Sequence, residues 1–195
     1  MENVSKFIAD VLREQGAISK SETDICKYGL EVFISSALEI ASIFAISAFA
    51  GNFLETVLFF TAFIPLRIYA GGYHASTKLR CYLLSLLVYG AFTFVMHALP
   101  NTAYAPLNVL FAAFSLSAVL IAAPIVHKNK SVSDTERKYY RKFSVCIALT
   151  QTLSIWILTA PFPTSPFVIS LTLGQLAVTL SMIAVALWRK IADNK

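Results

Sequence analysis

Six apolar runs, each close to the length that crosses a bilayer, dominate this chain of 195 residues. A helix rises about 1.5 Å per residue, so a hydrocarbon core of about 30 Å needs about 20 mainly apolar residues. The runs are Leu30–Ala50, Phe53–Ala70, Tyr82–Leu99, Leu107–Val126, Phe143–Ala160 and Phe167–Trp188. Helix breakers separate them. Gly51-Asn52 ends the first, and Pro100-Asn101 and Pro106 flank the loop after the third. Pro161, Pro163 and Pro166 predict a tight turn after the fifth. Composition agrees: 57% of residues are hydrophobic and 14% charged, against about 45–50% and about 25% in soluble domains.

Charge placement supports the count of six. The 16 basic residues fall in four clusters. Lys6, Arg13, Lys20 and Lys27 precede the first run. Arg67, Lys78 and Arg80 surround the junction of the second and third. Lys128, Lys130, Arg137, Lys138, Arg141 and Lys142 separate the fourth and fifth, and Arg189, Lys190 and Lys195 end the chain. With six spans, all four clusters lie on one side, which the positive-inside rule makes cytoplasmic for both termini. One span more or fewer destroys that asymmetry. The net charge of +5 therefore reflects topology and calls for no nucleic-acid partner. The expected fold is an all-α polytopic membrane protein, a single domain over residues 1–195.

Residues 1–20 read differently. Val4, Phe7, Ile8, Val11 and Leu12 recur at helical spacing, with Lys6, Asp10, Arg13 and Glu14 on other faces. This predicts an amphipathic helix lying in the membrane interface, or packed on the loops of its own bundle. Ser21 and Asp24 suggest a capping pair from which a helix runs into the first span. The N-terminal residues lack the pattern of a cleavable signal peptide.

The three cysteines, Cys26, Cys81 and Cys146, show no CxxC spacing, so neither a disulfide framework nor a zinc site is expected, and no cofactor. The stretch RIYAGGYHASTKLRC, residues 67–81, breaks the apolar pattern most sharply. On the reducing cytoplasmic side, Cys81 stays a free thiol. Ser76 or Thr77 is placed to cap the third span, which sets Cys81 near a helix N-terminus, with Lys78 and Arg80 adding positive charge. Both features favour the reactive thiolate. His74 lies seven residues earlier and is the nearby base. On one straight helix, two such residues stand about 10.5 Å apart, beyond the hydrogen-bond reach that proton transfer requires. A Cys-His pair therefore needs a bend, and Gly71-Gly72 and Ala75-Ser76-Thr77 permit one. A plain cytoplasmic turn with an ordinary packed cysteine remains the other reading.

Arg67 either snorkels to the headgroups or binds a carboxylate of the protein or its substrate. Glu31 and Glu39, in the first span, are the candidate partners within the protein. Glu31 is also placed to orient His74. The basic stretch 127–142 suits anionic lipid or an acidic peptide. A non-enzymatic transporter or scaffold built on Arg67, Glu31 and Glu39 is the rival reading.

Arg67 followed by AGGYHA and Cys81 resembles the core of the accessory gene regulator B family, bacterial membrane-embedded cysteine endopeptidases of quorum sensing. Tyr28-Gly29-Leu30-Glu31 is similar to the family's stretch before its first span. Ala123-Pro124 followed by Lys128-Asn129-Lys130 is similar to its loop after the fourth. Ser131 departs from the proline that many members carry there. The resemblance implies Cys81 as nucleophile and His74 as base, with Arg67, Gly71, Gly72 and Glu31 supporting the site. It implies a propeptide substrate with an amphipathic leader, a cysteine-containing signal segment and an acidic tail, which Lys128 and Lys130 would receive. Tail removal leaves an acyl-thioester that cyclises to a thiolactone. The implied partners are this propeptide, membrane lipids and a second copy of the chain as a homodimer. The implied location is the bacterial cell membrane.

Overall fold

The computed structural model describes residues 2–72, 77–125 and 133–193. Within these it is helical, with no strands. The helices are α1 (Glu2–Glu14), α2 (Thr23–Ala50), α3 (Phe53–Ala70), α4 (Lys78–Ala98), α5 (Tyr104–Ala122), α6 (Asp134–Thr159) and α7 (Pro166–Asp193), with a 3-10 turn at Asn101–Ala103 before α5. Helices α2 to α7 are each long and apolar enough to cross a membrane. This is a multi-pass helical membrane protein, as the six runs predict.

The boundaries differ from expectation in instructive ways. Helix α2 begins at Thr23 and runs into the first span, as expected, but its entry is organised by Ser19 and Glu22 rather than by the expected Ser21 and Asp24. The Ser19 backbone N–H and hydroxyl both donate to Glu22 Oε2, at 2.8 and 2.6 Å. These bonds hold the Glu22 carboxyl below the ordinary carboxylate range, the side-chain bond contributing most. Their contribution is therefore present above the ordinary carboxylate pKa and is lost as pH falls through the lowered one. Helix α5 runs from Tyr104 to Ala122 rather than from Leu107 to Val126. Pro106 sits inside its first turn, where a missing N–H costs nothing. Pro124 ends it by holding Ala123 extended, at ψ 146°.

The largest correction concerns the stretch 127–142. Residues from Asp134 onward are not loop but the opening turns of α6. Ser133 and Glu136 form a reciprocal capping box: Glu136 N–H donates to Ser133 Oγ at 3.2 Å, and Ser133 N–H donates to Glu136 Oε2 at 2.9 Å. Such a cap contributes about 1 kcal/mol, enough to carry a helix through a polar, basic sequence. Arg141, one turn before the apolar run, donates from Nη2 to the Leu120 carbonyl at 3.3 Å. It thereby serves one of the carbonyls that the end of α5 leaves without an intrahelical partner.

The chain forms two compact units, Met1–Phe49 and Ala50–Lys195. In the first, α1 turns Ser5 and Ala9 inward, and Ser5 Oγ donates to Glu31 Oε1 at 3.3 Å. Val4 and Phe7, from the apolar stripe, stay outside, 52% and 69% exposed. A polar cleft of about 310 Å³ opens beside Lys6, Asp10, Arg13, Lys20, Asp24 and Lys27.

In the second unit α7 is the central helix, packed against α3, α5 and α6 and more lightly against α4. Leu66, Ala70, Val119, Ala148, Val178 and Met182 form one buried cluster. Lipid tails are as apolar as leucine, so close packing and interhelical hydrogen bonds hold such a bundle together. Both are present. Gly174 lets α7 approach so closely that an added Cβ would collide with the Phe59 carbonyl. Thr172 donates to Asn108 at 2.8 Å, and Gln175 donates to Thr152 at 3.0 Å. Gln151 donates to the Ala62 carbonyl at 2.8 Å, next to the carbonyl that Pro65 strips of its helical donor. Helix α4 attaches through Tyr89, which donates to Asn52 at 3.1 Å, and through Phe92, whose ring lies 4.6 Å from that of Phe59.

Candidate active site

The site begins where α3 stops. Gly71 takes φ +79° and donates its N–H to the Arg67 carbonyl, closing the helix. Gly72 follows at φ +135°, a conformation that residues with a Cβ rarely enter. Space enforces the same choice. A Cβ on Gly71 would collide with the Ile125 carbonyl, and one on Gly72 with the Arg67 guanidinium. Gly71 forms a single parallel bridge with Ile125, and Ile125 N–H donates to the Ala70 carbonyl at 2.9 Å. The chain leading toward His74 and the chain leading toward Lys128 therefore depart from paired residues. His74, Lys128 and Lys130 themselves lie outside the described residues.

Arg67 neither points out to solvent nor stands alone. Its Nη1 donates to the Gly71 carbonyl at 2.8 Å and to Ser181 Oγ at 3.1 Å. The expectation is either snorkelling to the headgroups or a carboxylate partner; the partners described are a backbone carbonyl and a hydroxyl on α7. No local pattern marks Ser181, since a serine within an apolar run is ordinary. Tyr69, two residues on, stacks on Phe143 with ring centroids 5.2 Å apart, tying the end of α3 to α6.

Cys81 lies in the first turn of α4. Thr77 is the N-cap in extended conformation, its side chain accepting from Arg80 N–H at 3.3 Å. The Cys81 N–H donates to the Thr77 carbonyl at 3.0 Å. Thr77 is one of the two caps expected, and the apolar run from Tyr82 begins one turn into the helix that it opens. Since α4 begins at Lys78, the helix that carries Cys81 does not extend back to position 74. Cys81 is a half-buried thiol outside any disulfide, and its charge interacts with the Arg67 guanidinium. Helix dipole and cation both favour a thiolate here. Glu31 belongs to the first unit, where Ser5 donates to it.

Arg67, the Gly-Gly turn, the capped cysteine and the paired segment after α5 fall within one family's pattern. The model of accessory gene regulator B matches residues 5–189. The chain belongs to the accessory gene regulator B family. Relatives include provisionally named AgrB-like proteins. That of Listeria welshimeri serovar 6b is 28% identical over 141 residues, covering 71% of this chain and 69% of the relative. That of Listeria monocytogenes serovar 1/2a shares the same identity over the same length. One from Clostridium perfringens strain SM101 is 28% identical over 167 residues, covering 81% and 76%. No solved structure gives a significant match. Family membership links the chain to quorum-sensing peptide processing.

Proposed function

We propose that this chain is a membrane-embedded cysteine endopeptidase that removes the acidic C-terminal tail of a quorum-sensing propeptide. The observation that carries this reading is Cys81 at a capped helix start, its charge interacting with a half-buried arginine held over a Gly-Gly turn. Cys81 Sγ attacks the scissile carbonyl. The C–N bond breaks as His74, having taken the thiol proton, protonates the departing amine of the tail. The signal segment remains on Cys81 as an acyl-thioester. The peptide's own cysteine then displaces Cys81, forming the thiolactone and returning the thiol. One thioester replaces another, so little net bond energy is needed, and holding both groups in one site supplies the rate. Gly71 and Gly72 are assigned to the turn that holds the Arg67 guanidinium, and Arg67 to supplying the charge. Glu31 is assigned to orienting the site.

Trapping the intermediate tests the reaction. Purified protein in lipid, mixed with a propeptide whose ring-forming cysteine is replaced by alanine, should accumulate a covalent adduct on Cys81. Hydroxylamine should release it. Tail release without any adduct would rule out the thioester route.

Lys128 and Lys130 are assigned to the acidic tail. Replacing both by glutamine should raise KM about tenfold with kcat nearly unchanged, because the contact is equal in ground and transition states. A selective loss of kcat would move these lysines to the chemistry instead.

The active site is assigned to the cytoplasmic face of the cell membrane, and α1 to the interface on that side. The exposed Val4 and Phe7 support this, and the cleft bearing Lys6, Arg13, Lys20 and Lys27 suits anionic headgroups. Impermeant thiol reagents should label Cys81, and a cysteine introduced at Phe7, in inside-out vesicles and not in intact cells. The reading includes a homodimer, which the mass of the protein in detergent checks.

A further inference from the structure

We propose that Ser181, on the last membrane helix, is a positioning residue for the Cys81 site, acting by holding the Arg67 guanidinium. The inference rests on the reading of Cys81 as the reactive thiol and adds to it a residue from the opposite end of the chain.

The hydrogen bonds fix the polarity of the contact. Ser181 Oγ donates its one proton to the Val178 carbonyl at 2.8 Å. Only its lone pairs remain for Arg67, whose Nη1 donates to it at 3.1 Å. The second acceptor of the same nitrogen is the Gly71 carbonyl at 2.8 Å. Two acceptors on two elements thus define where that nitrogen sits. Gly72 packs directly beneath it, since an added Cβ would overlap Nη1 and approach Ser181 Oγ to 2.6 Å. Residues 66 and 70 of α3, with Val178 and Met182 of α7, form the buried cluster alongside. The guanidinium is therefore built into the α3–α7 contact rather than left on a flexible stem. Its charge interacts with Cys81. Among the described residues, the charge that acts on that thiol from a neighbouring helix is Arg67 of α3; Arg80 precedes it on α4 itself, and α7 brings the neutral Ser181 to Arg67. Removing the Ser181 oxygen takes away the α7 acceptor and leaves the Gly71 carbonyl of the two, so the fork is held less firmly and its charge acts less on the thiol.

The test is alkylation of Cys81 by iodoacetamide as a function of pH, in lipid, with Cys26→Ser and Cys146→Ser as background. Ser181→Ala should move the alkylation profile to higher pH and slow labelling at pH 7 about tenfold, the change that one unit of thiol pKa gives. Ser181→Thr keeps the oxygen and should restore the profile. Arg67→Lys keeps the charge but loses the fork, and should shift the profile in the same direction. It serves as the second variant should Ser181→Ala fail to insert. A wild-type profile for Ser181→Ala or, where that variant does not insert, for Arg67→Lys overturns the proposal. Equal shifts for Ser181→Ala and Ser181→Thr also overturn it, because packing rather than the oxygen would then be responsible. The two readings fail separately: an unshifted variant with intact propeptide turnover removes the role of Ser181, whereas absent turnover in the wild type removes the peptidase.

Discussion

Cys81→Ser should abolish tail removal, lowering turnover about a thousandfold or more, while the protein still inserts and remains intact in the membrane. The size follows from the chemistry. A serine hydroxyl at the same place has no accessible anion, and neither a helix dipole nor an arginine brings it within range near neutral pH. The substitution changes one atom at the start of α4, where the Thr77 cap and the Cys81 backbone bond are untouched. Stability should therefore barely move. His74→Ala removes the proton carrier and should cost about a hundredfold to ten-thousandfold. Cys26→Ser and Cys146→Ser should leave turnover near wild type. The measurement is tail release from a synthetic propeptide, resolved by mass spectrometry, at matched protein levels in lipid. Rapid cleavage by the Cys81→Ser protein would refute the assignment of the nucleophile, and equal losses for all three cysteines would point to general damage.

Gly72→Ala should damage both the fold and the site. At φ +135°, an alanine costs about 1–3 kcal/mol in backbone strain alone. The new Cβ also falls on the Arg67 guanidinium, so the side chain or the turn must move. Either response separates Arg67 from Ser181 or from the Gly71 carbonyl. The expected result is a lower melting temperature in detergent together with loss of turnover about a hundredfold or greater. Gly90→Ala is the control. It lies within α4, and an added Cβ there meets nothing within 4 Å. That variant should match wild type in both measurements. If Gly72→Ala keeps full activity and stability, the close contact between the turn and Arg67 does not operate in the membrane.

The two kinds of information in the sequence were unequally legible. Six spans could be read because length and apolarity in a bilayer leave little else for a chain to do, and because all 16 basic residues sort to one side. Helix starts were harder. Ser133 and Glu136 stand at capping-box spacing, and so do Ser19 and Glu22, but each opens a polar stretch where hydropathy gives no cue. The site was legible in its residue types and in the need for a bend. Its supports were not. Ser181 is remote in sequence from Arg67, and the Gly71–Ile125 bridge depends on the packing that brings the ends of α3 and α5 together. Neither has a local pattern. The glycines are the exception, since their roles at close backbone contacts are visible only once the neighbour is known, yet their pairing in sequence already hinted at a special turn.

The position of Ser181 has a consequence for biosynthesis. Cys81 emerges from the ribosome with the third span, but the last helix follows about 100 residues later, roughly 5–20 s at about 5–20 residues per second. Throughout that interval the nascent chain carries an ordinary thiol whose arginine is not yet clamped. If Ser181 holds Arg67 as proposed, the thiol reaches its full reactivity when α7 inserts and docks on α3. A truncated or misassembled chain thus presents the nucleophile without its setting, and the cell is spared an activated cysteine on an unfinished protein.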